Sequence, residues 1–238
     1  MRNRKSERTA VTAVTLAGER VELFAERALY WPRGRTLFVA DVHLGKAAAF
    51  RAGGVPLPGG STAADLARLA RLIAATRAER LVVLGDFLHA AAGRTDALAQ
   101  AFAAWRERHR ALSLTLVRGN HDERAGDPPE AWGIEVVAEP HPAAPFLLCH
   151  APPEDDDPAS GALFGYALSG HVHPGVRISG AGAQSERLPC FVLGKNRAIL
   201  PAFGRFTGLG THDWVRGDAL VAIAGDKLFV LPSGASGS

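Results

Sequence analysis

Aspartate, asparagine and histidine residues follow five short apolar segments of this 238-residue chain. These residues are Asp41 and His43, Asp86, Asn120 with His121 and Asp122, His150, and His171 with His173. Each preceding segment has the length and apolar composition of a buried strand. Because open α/β sheets place their ligands at the carboxyl ends of strands, five such endings predict one shared site rather than five unrelated turns.

The donor types indicate what such a site would bind. The residues supply carboxylate, amide-oxygen and imidazole donors and no thiolate. That set suits Mn²⁺, Fe or Zn²⁺ in octahedral or five-coordinate sites and argues against a structural zinc site. Asp41 and His43 are two residues apart, as are His171 and His173. In an extended segment, both members of each pair would point to the same side.

The first half of the chain predicts the elements that position these residues. Strands are expected at Val11–Leu16, Val21–Phe24, Ala28–Trp31, Thr36–Ala40, Leu81–Leu84 and Leu112–Val117. A helix should follow the Gly/Pro-rich loop 53–60, with Thr62 and Asp65 as its capping box, and a second should span Thr95–His109. The first helix would carry an apolar face of Leu66, Leu69, Ala70 and Ile73 and a polar face of Asp65, Arg68 and Arg71.

The second half is poor in helix. Strands are expected at Ile134–Ala138, Phe146–Cys149, Tyr166–Ser169, Cys190–Leu193, Ala198–Leu200, Leu220–Ile223 and Leu228–Leu231. The earlier alternation of strands and helices predicts an α/β fold with a partly parallel sheet covered by helices. The later strands predict either a second sheet or an antiparallel extension of the first.

Composition limits the class of protein. The chain is 47% hydrophobic and 21% charged, unlike a disordered or coiled-coil protein, and its apolar runs are too short for a transmembrane helix. We expect one domain over residues 11–231, with loose tails at 1–10 and 232–238. Cys149 and Cys190 lie in apolar runs and form no disulfide framework, which favours a cytoplasmic protein with reduced thiols. The net charge of +3 permits a phosphate-rich partner without selecting one.

The five blocks resemble the signature of calcineurin-like metallophosphoesterases. They are Asp41-Val-His43, Gly85-Asp86, Gly119-Asn120-His121-Asp122, His150 and Gly170-His171-Val172-His173, in the order of that signature. The resemblance implies a four-layer sandwich, in which two mixed β-sheets are flanked by helices and a two-metal centre lies at the sheet ends. It assigns Asp41, His43 and His173 to one metal, Asn120, His150 and His171 to the other, and Asp86 to both.

The resemblance also implies a mechanism. Two divalent ions would clamp a phosphoryl group, and a water between them would lose its proton to become the nucleophile. His121 would be the general acid for the leaving-group oxygen, and Asp122 would orient its ring.

A narrower resemblance covers most of the chain. The stretches 40–50, 85–89 and 200–208 are similar to bacterial ligase-associated DNA damage response endonucleases of the PdeM type. That family implies a Mn²⁺-dependent phosphodiesterase or endonuclease that acts on DNA beside a DNA ligase and a helicase.

The sequence allows two interpretations for each of several further residues. Lys46 and Arg51, in a loop after the first block, could bind substrate phosphate or be solvated, and His89 and Arg118 could face the site or be structural. The loop 203–207 could stack a base or simply pack. His109, His141 and His212 are expected outside the site, and the acidic run 154–157 is expected to be a solvated loop.

Two other functions remain open at this point. The same metal centre would serve a small-molecule phosphoesterase acting on a nucleotide, a sugar-nucleotide pyrophosphate or a phosphomonoester. Alternatively, the fold could be a docking module of a repair complex, although such modules would be expected to have lost metal ligands, and none is missing here.

Overall fold

The computed structural model describes residues 10–153, 165–179, 185–210 and 217–231. The predicted terminal tails, the acidic run 154–157 and His212 lie outside these residues, apart from Ala10. Within them, the predicted strands and helices are all present, and their ends lie within two residues of the expected positions except at the strand predicted over Cys190–Leu193, which begins at Ser185 rather than Cys190.

The first sheet has seven strands in sequence order, β1 to β7. They are β1 (Val11–Leu16), β2 (Glu19–Phe24), β3 (Ala28–Trp31), β4 (Thr36–Ala40), β5 (Arg80–Leu84), β6 (Ser113–Val117) and β7 (Glu135–Val137). Neighbours from β1 to β4 are antiparallel, whereas β4 to β7 pair in parallel. The parallel half brings the carboxyl ends of β4, β5 and β6 to the same edge.

The second sheet has the order β15-β14-β12-β13-β10-β9-β8, with β11 paired to β12. Its strands are β8 (His141–Ala143), β9 (Phe146–Leu148), β10 (Tyr166–Ser169), β11 (Gly175–Ser179), β12 (Ser185–Leu193), β13 (Arg197–Ile199), β14 (Ala219–Ala224) and β15 (Lys227–Val230). Strands β9, β10 and β13 run in parallel, and the other pairs are antiparallel. The second half of the chain therefore forms a separate mixed sheet.

Alternating side chains of the strands divide the core into layers. On β4, Phe38 and Ala40 join the cluster between the two sheets, with Phe146 and Leu168 of the second sheet. Leu37 and Val39 point the other way, into a cluster with the helices. This alternation follows from the period of two in a strand.

The helices are α1 (Lys46–Ala52), α2 (Ser61–Thr76), α3 (Asp96–Arg108) and α4 (Asn120–Ala125). Among the described residues, every buried helical side chain that belongs to a hydrophobic cluster belongs to the cluster on the outer face of the first sheet. The cluster on the outer face of the second sheet holds no helical residue among those the structure describes. The two mixed sheets of the predicted sandwich are therefore present, with the described helices on one side.

The predicted capping box at Thr62 was wrong. The helix α2 begins at Ser61, after Gly60, whose φ of 88° is in the left-handed region. Thr62 therefore lies in the first turn, and Asp65 turns inward, 4% exposed, to accept a hydrogen bond of 3.0 Å from Arg68. The Asp65 carboxylate is therefore used in a buried ion pair with Arg68, and α2 has no side-chain cap.

Some elements had no sequence signal strong enough to predict them. Lys46 and Arg51, which were expected in a loop, lie on the short helix α1. The helix α4 begins inside the third polar block, at Asn120. The strands β8 and β11 are short or lie at the edge of the sheet. Elements this short depend on their tertiary neighbours more than on propensity.

Candidate metal centre

The polar residues that follow the strands meet at one edge of both sheets. Asp41 and His43 follow β4, Asp86 follows β5 and Asn120 follows β6, all in the first sheet. His150 follows β9, and His171 and His173 follow β10, in the second sheet. Because β4, β5 and β6 are parallel to one another, as are β9 and β10, their carboxyl ends present these side chains together.

One group consists of Asp41, His43 and His173, whose candidate donor atoms all lie within 4.8 Å of one another. His43 Nε2 is 3.4 Å from His173 Nε2, and His173 Nε2 is 3.7 Å from Asp41 Oδ1. The Asp41 side chain is fully buried. The end of β4 in the first sheet and the end of β10 in the second sheet thus contribute side chains to the same small polar space.

A second group consists of Asp86, His150 and His171, with Asn120 beside it. His150 Nε2 lies 3.5 Å from Asp86 Oδ1, 3.0 Å from Asn120 Oδ1 and 3.0 Å from His171 Nδ1. Asp86 also faces the first group, since its Oδ2 is 3.7 Å from His43 Nε2. Its two oxygens therefore point to different groups.

The spacing of these atoms fits divalent metal ions. Donors bound to one ion at about 2.1 Å lie roughly 3 Å apart at right angles and about 4 Å apart when opposite. The measured separations of 3.0 to 3.7 Å fall in that interval. Imidazole, carboxylate and amide donors are also those that Mn²⁺, Fe and Zn²⁺ accept.

The protonation of the histidines favours the same interpretation. Burial lowers the pKa of His43 far below its usual range, and Lys46 and His173 lower it further. Burial and His150 also lower the pKa of His171. Both rings are therefore neutral near pH 7, the form in which imidazole binds a metal.

Left-handed backbone turns, not extended segments, aim the paired residues. The φ angles are 52° at Asp41, 50° at His43, 70° at His171 and 47° at His173. The backbone of these pairs is therefore not extended as expected. Asp41 and His43 still enter the same group, whereas His171 and His173 enter different groups. Strained conformations of this kind are stable only where surrounding structure enforces them, and they concentrate at functional sites.

Backbone amides hold the two carboxylates in place. The N–H of His171 donates to both oxygens of Asp41 at 3.1 and 3.0 Å, and the N–H of His121 donates to Asp86 Oδ1 at 2.9 Å. Glu139, which sequence reasoning missed, accepts from the N–H groups of His150 and Ala151 at 2.6 and 3.0 Å. Glu139 precedes β8 without any motif, so no local signal identifies it.

The ring of His121 is oriented by a backbone carbonyl and not by Asp122. His121 Nδ1 donates to the carbonyl oxygen of His89 at 2.8 Å, which leaves Nε2 4.0 Å from Asp86 Oδ2. Asp122 is fully buried and accepts from the N–H groups of Phe87, Leu88 and Gly119. The expected role of Asp122 was therefore wrong, because turns of the surrounding backbone take up its carboxylate.

Of the four predicted substrate-binding residues, two interact with candidate metal ligands, Lys46 and His89, and two contact other groups, Arg51 and Arg118. Lys46 is half-buried, and its charge acts on the carboxylates of Asp86 and Asp41. His89 Nδ1 lies 3.4 Å from His43 Nδ1. Burial, together with Lys46, lowers the pKa of His89 to about 4.

The two arginines contact other groups. Arg51 donates to the carbonyl oxygens of Leu57 and Pro58, at 3.2 and 3.5 Å. Arg118 forms a bidentate pair with Asp127 at 2.9 and 2.7 Å. Both guanidinium groups therefore have partners in the chain itself.

Comparison with known proteins identifies the family. A model of calcineurin-like phosphoesterases matches residues 34–152, half of the chain. The chain belongs to the calcineurin-like phosphoesterase family. Among solved structures, it is similar to the nuclease MPE of Pseudomonas putida, with 40% identity and a TM-score of 0.78 over 93% of this chain and all of that one. No curated protein sequence matches it.

Membership of this family makes the protein a metal-dependent phosphoesterase, and the groups of His and Asp side chains at the ends of the sheets are candidate metal ligands. None of the helices among the described residues is both long and apolar enough to span a membrane.

Proposed function

We propose that this calcineurin-like phosphoesterase is a dinuclear phosphodiesterase that hydrolyses DNA. The observation that carries the proposal is Asp86, whose two oxygens face two separate groups of imidazoles. A carboxylate in that position can bind two ions at once. The 40% identity to a nuclease over nearly the whole chain supports a nucleic-acid substrate.

Each metal would take donors from both sheets. Asp41, His43 and His173 would hold one ion, Asn120, His150 and His171 the other, and Asp86 would bridge them. When bound, two divalent ions polarise a phosphoryl oxygen and lower the pKa of a bound water. Among the described residues, Asp41 and Asp86 are the only carboxylates of this centre, so the loaded site would keep positive charge and attract phosphate.

The remaining residues act on the substrate. The oxygen of one water would form a new bond to phosphorus while the bond from phosphorus to the leaving nucleoside oxygen breaks. One proton of that water would pass to solvent before the attack and the other would remain on the phosphate product, and the general acid would regain its own proton from solvent. His121, held through Nδ1 by the His89 carbonyl, would donate a proton from Nε2 to that leaving oxygen. Lys46 would contact a non-bridging oxygen, and His89 would line the same side of the site.

Three further assignments complete the proposal. We assign manganese as the metal, with iron or zinc as alternatives, because the donors include oxygen and nitrogen but no sulfur. We assign the protein to the cytoplasm, and to DNA repair in association with a ligase and a helicase. The cytoplasmic assignment rests on the free thiols of Cys149 and Cys190, and the repair assignment on the resemblance of stretches 40–50, 85–89 and 200–208 to ligase-associated endonucleases.

The test is a panel of substrates with purified, Mn²⁺-loaded protein. Nicked, flapped and single-stranded DNA are compared with bis-p-nitrophenyl phosphate, cyclic nucleotides and phosphomonoesters. We expect hydrolysis of at least one DNA and its loss in Asp86→Asn. The matched control is Asp226→Asn, which changes an exposed carboxylate in the turn between β14 and β15.

The alternatives predict other results. Activity on small phosphoesters with none on any DNA would identify a small-molecule phosphoesterase and refute the nuclease proposal. A protein that binds metal but turns over none of these substrates would instead be a docking module.

A further inference from the structure

A two-stranded arm extends the second sheet beyond the edge at which the metal centre lies. Strands β10 and β13 are parallel, and β10 leads into His171 and His173 at that edge. Strand β12 is antiparallel to β13, so it enters the sheet from the same edge. Its second half, from Cys190, pairs with β14, whereas residues 185–189 pair with β11 instead. The strand β11 and the first half of β12 therefore project past the sheet on the side of the metal centre.

The side chains of this arm alternate between two faces. Val176 and Cys190 belong to the cluster on the outer face of the second sheet, and Phe191 belongs to the cluster between the two sheets. By the period of two in a strand, Arg187 lies on the same face as Phe191. Arg177 follows Val176 and so faces away from the outer cluster. Both arginines therefore continue the inner face of the sheet, on the side where the metal donors of the first sheet lie.

Arg177 and Arg187 are directly opposite each other in the ladder between β11 and β12. Directly opposed side chains have Cβ atoms about 5 Å apart, and like charges in that position destabilise the pair of strands. Arg177 is exposed, and none of the residues that the structure describes forms an ion pair or a hydrogen bond with its side chain. Two opposed cations of this kind are suited to an anion that comes from outside the chain.

Hydrogen bonds connect this pair to a ligand of the metal centre. The guanidinium of Arg187 donates to the carbonyl oxygen of Gly210 at 2.7 Å, and the N–H of Gly210 donates to the carbonyl oxygen of His173 at 2.9 Å. One arginine is thereby fixed relative to His173, and the guanidinium has further N–H groups for another acceptor. Arg177 is four residues after His173, so the two Cα atoms are at most about 14 Å apart.

We propose that Arg177 and Arg187 bind a phosphodiester of the substrate strand close to the one that is hydrolysed. The inference rests on the proposed nuclease function and adds a second phosphate site to the same enzyme. A guanidinium can donate two parallel hydrogen bonds to phosphate oxygens, and it keeps its charge at every pH at which the protein is folded. The pair would hold the strand through its backbone, a contact that positions the strand without reading its bases.

The experiment compares single-stranded oligonucleotides in which neutral methylphosphonates replace most phosphodiesters. One strand keeps a single phosphodiester, and the others keep two, placed one to four linkages apart. Product lengths show which of the two is cleaved, and therefore on which side of the scissile phosphate the other one acts.

The Mn²⁺-loaded wild type is compared with Arg177→Ala, Arg177→Lys and Arg177→Glu. The matched control is Arg80→Ala, which removes the same charge at another exposed position. Arg80 is the first residue of β5, whose other end leads to Asp86, so it lies at the end of the sheet opposite the metal centre.

We expect the second phosphodiester to raise kcat/KM for cleavage of its neighbour by about tenfold in the wild type and in Arg80→Ala, as two exposed charge pairs would. Arg177→Ala should reduce this gain to about threefold, the share of the one remaining arginine. Arg177→Lys should keep most of the gain, and Arg177→Glu should abolish it. In Arg177→Glu, the slope of log kcat/KM against log salt concentration should become shallower by about 0.7, the value for one phosphate contact on a single strand.

Arg177→Glu also separates a binding role from a structural one. The substitution places a carboxylate opposite Arg187, so two like charges become an attractive pair. The melting temperature should therefore equal or exceed that of the wild type while the gain from the second phosphodiester disappears. If instead the melting temperature falls and cleavage of every strand falls in the same proportion, Arg177 is structural and the inference is refuted.

The outcomes distinguish the inference from the function beneath it. If the wild type cleaves strands with one and with two phosphodiesters at equal kcat/KM per linkage, the inference is refuted and the nuclease proposal stands. The same holds if the gain from the second phosphodiester survives in Arg177→Glu. If the wild type cleaves no DNA, the nuclease proposal is overturned, and the inference with it.

Discussion

His121 is held by two contacts that leave one ring nitrogen facing the site. Its N–H donates to Asp86, and its Nδ1 donates to the His89 carbonyl, so that Nε2 is the atom able to exchange a proton with substrate. None of these contacts requires the ring to bind a metal. Substitution of His121 can therefore show whether this side chain acts as a proton donor or as a metal ligand.

Replacement of the ring should separate turnover from metal content. We expect His121→Ala to lower kcat by about 10²–10⁴-fold, the usual contribution of a general acid, with metal stoichiometry unchanged. Steady-state kinetics and elemental analysis measure the two quantities. His141→Ala, on the edge strand β8, is the control and should change neither. Equal loss of metal and turnover would refute the assigned role.

The close approach of Gly85 to His150 gives a second prediction. Gly85 has a φ of 77°, and a Cβ there would lie 2.0 Å from His150 Nδ1. Gly85→Ala should displace the imidazole and weaken metal binding by about 10–100-fold, as loss of a supporting contact does. Gly18→Ala is the matched control, with a φ of 76° and nothing within 4 Å, and should cost stability alone. Metal titration calorimetry measures both variants.

At the scale of elements, a buried ion pair on α2 secures the loop that supports Asp41. Arg68 pairs with Asp65 at 3.0 Å, its guanidinium stacks 3.8 Å over the Phe203 ring, and it donates to the Phe203 carbonyl. The N–H groups of Phe203 and Gly204 donate in turn to the carbonyls of Ala40 and Asp41, at 2.8 and 3.0 Å. Within the loop 203–207, Phe203 therefore packs rather than stacking a base.

Truncation of this arginine should destabilise the protein. Arg68→Ala removes the salt-bridge partner of the buried Asp65 carboxylate and leaves it only the Arg205 N–H and the charges of Arg205 and Arg27. We expect the unfolding free energy to fall by about 3 kcal/mol at pH 8, the lower end of the cost of breaking a buried ion pair. Burial already raises the pKa of Asp65 to about 6 against the opposing charge of Arg68. At pH 5 the unpaired carboxyl can be protonated, so the loss should be smaller there.

Denaturant unfolding at the two pH values measures this difference. Arg71→Ala is the control, since Arg71 is exposed on the same helix and lies 4.0 Å from Glu26. It should change stability by about 0–1 kcal/mol. A loss in Arg68→Ala that is as large at pH 5 as at pH 8 would contradict the charge-burial explanation.

At the scale of the whole molecule, the candidate metal centre lies where the ends of the two sheets meet. Because its donors come from both sheets, ions that bind there should stabilise the folded state. We expect unfolding free energy to rise by about 2.7 kcal/mol per site when free Mn²⁺ is a hundred times its Kd. Thermal melting with Mn²⁺ and with EDTA measures the effect. Asp86→Asn should abolish it and Asp226→Asn should retain it; an equal shift in both would place the ions elsewhere.

The two thiols should be unreactive until the whole fold opens. Burial raises the pKa of Cys149 to about 11 and that of Cys190 to about 12. Since the thiolate is the reactive form, neither should be alkylated at pH 8 in the native protein, and both should be alkylated in denaturant. Mass spectrometry after iodoacetamide treatment counts the labelled thiols, and rapid native labelling would contradict this burial.

The amino-acid sequence by itself determined the features whose causes are local. Apolar runs such as Thr36–Ala40 and Leu81–Leu84 predict strands because their side chains alternate between two buried layers. The polar residues directly after those runs could be assigned to one site, because parallel strands end at a common edge. The signature of five blocks also sufficed to indicate the family.

Tertiary structure alone decided the features that depend on residues far apart in the chain. Asp122 accepts hydrogen bonds from the N–H groups of Phe87 and Leu88, 35 and 34 residues earlier. Arg68 donates a hydrogen bond to the carbonyl oxygen of Phe203, 135 residues later. Left-handed turns separate His171 from His173 although they are two residues apart. Local periodicity cannot encode such contacts, because the energy of a buried charge or a strained turn depends on which surfaces the packed sheets bring together.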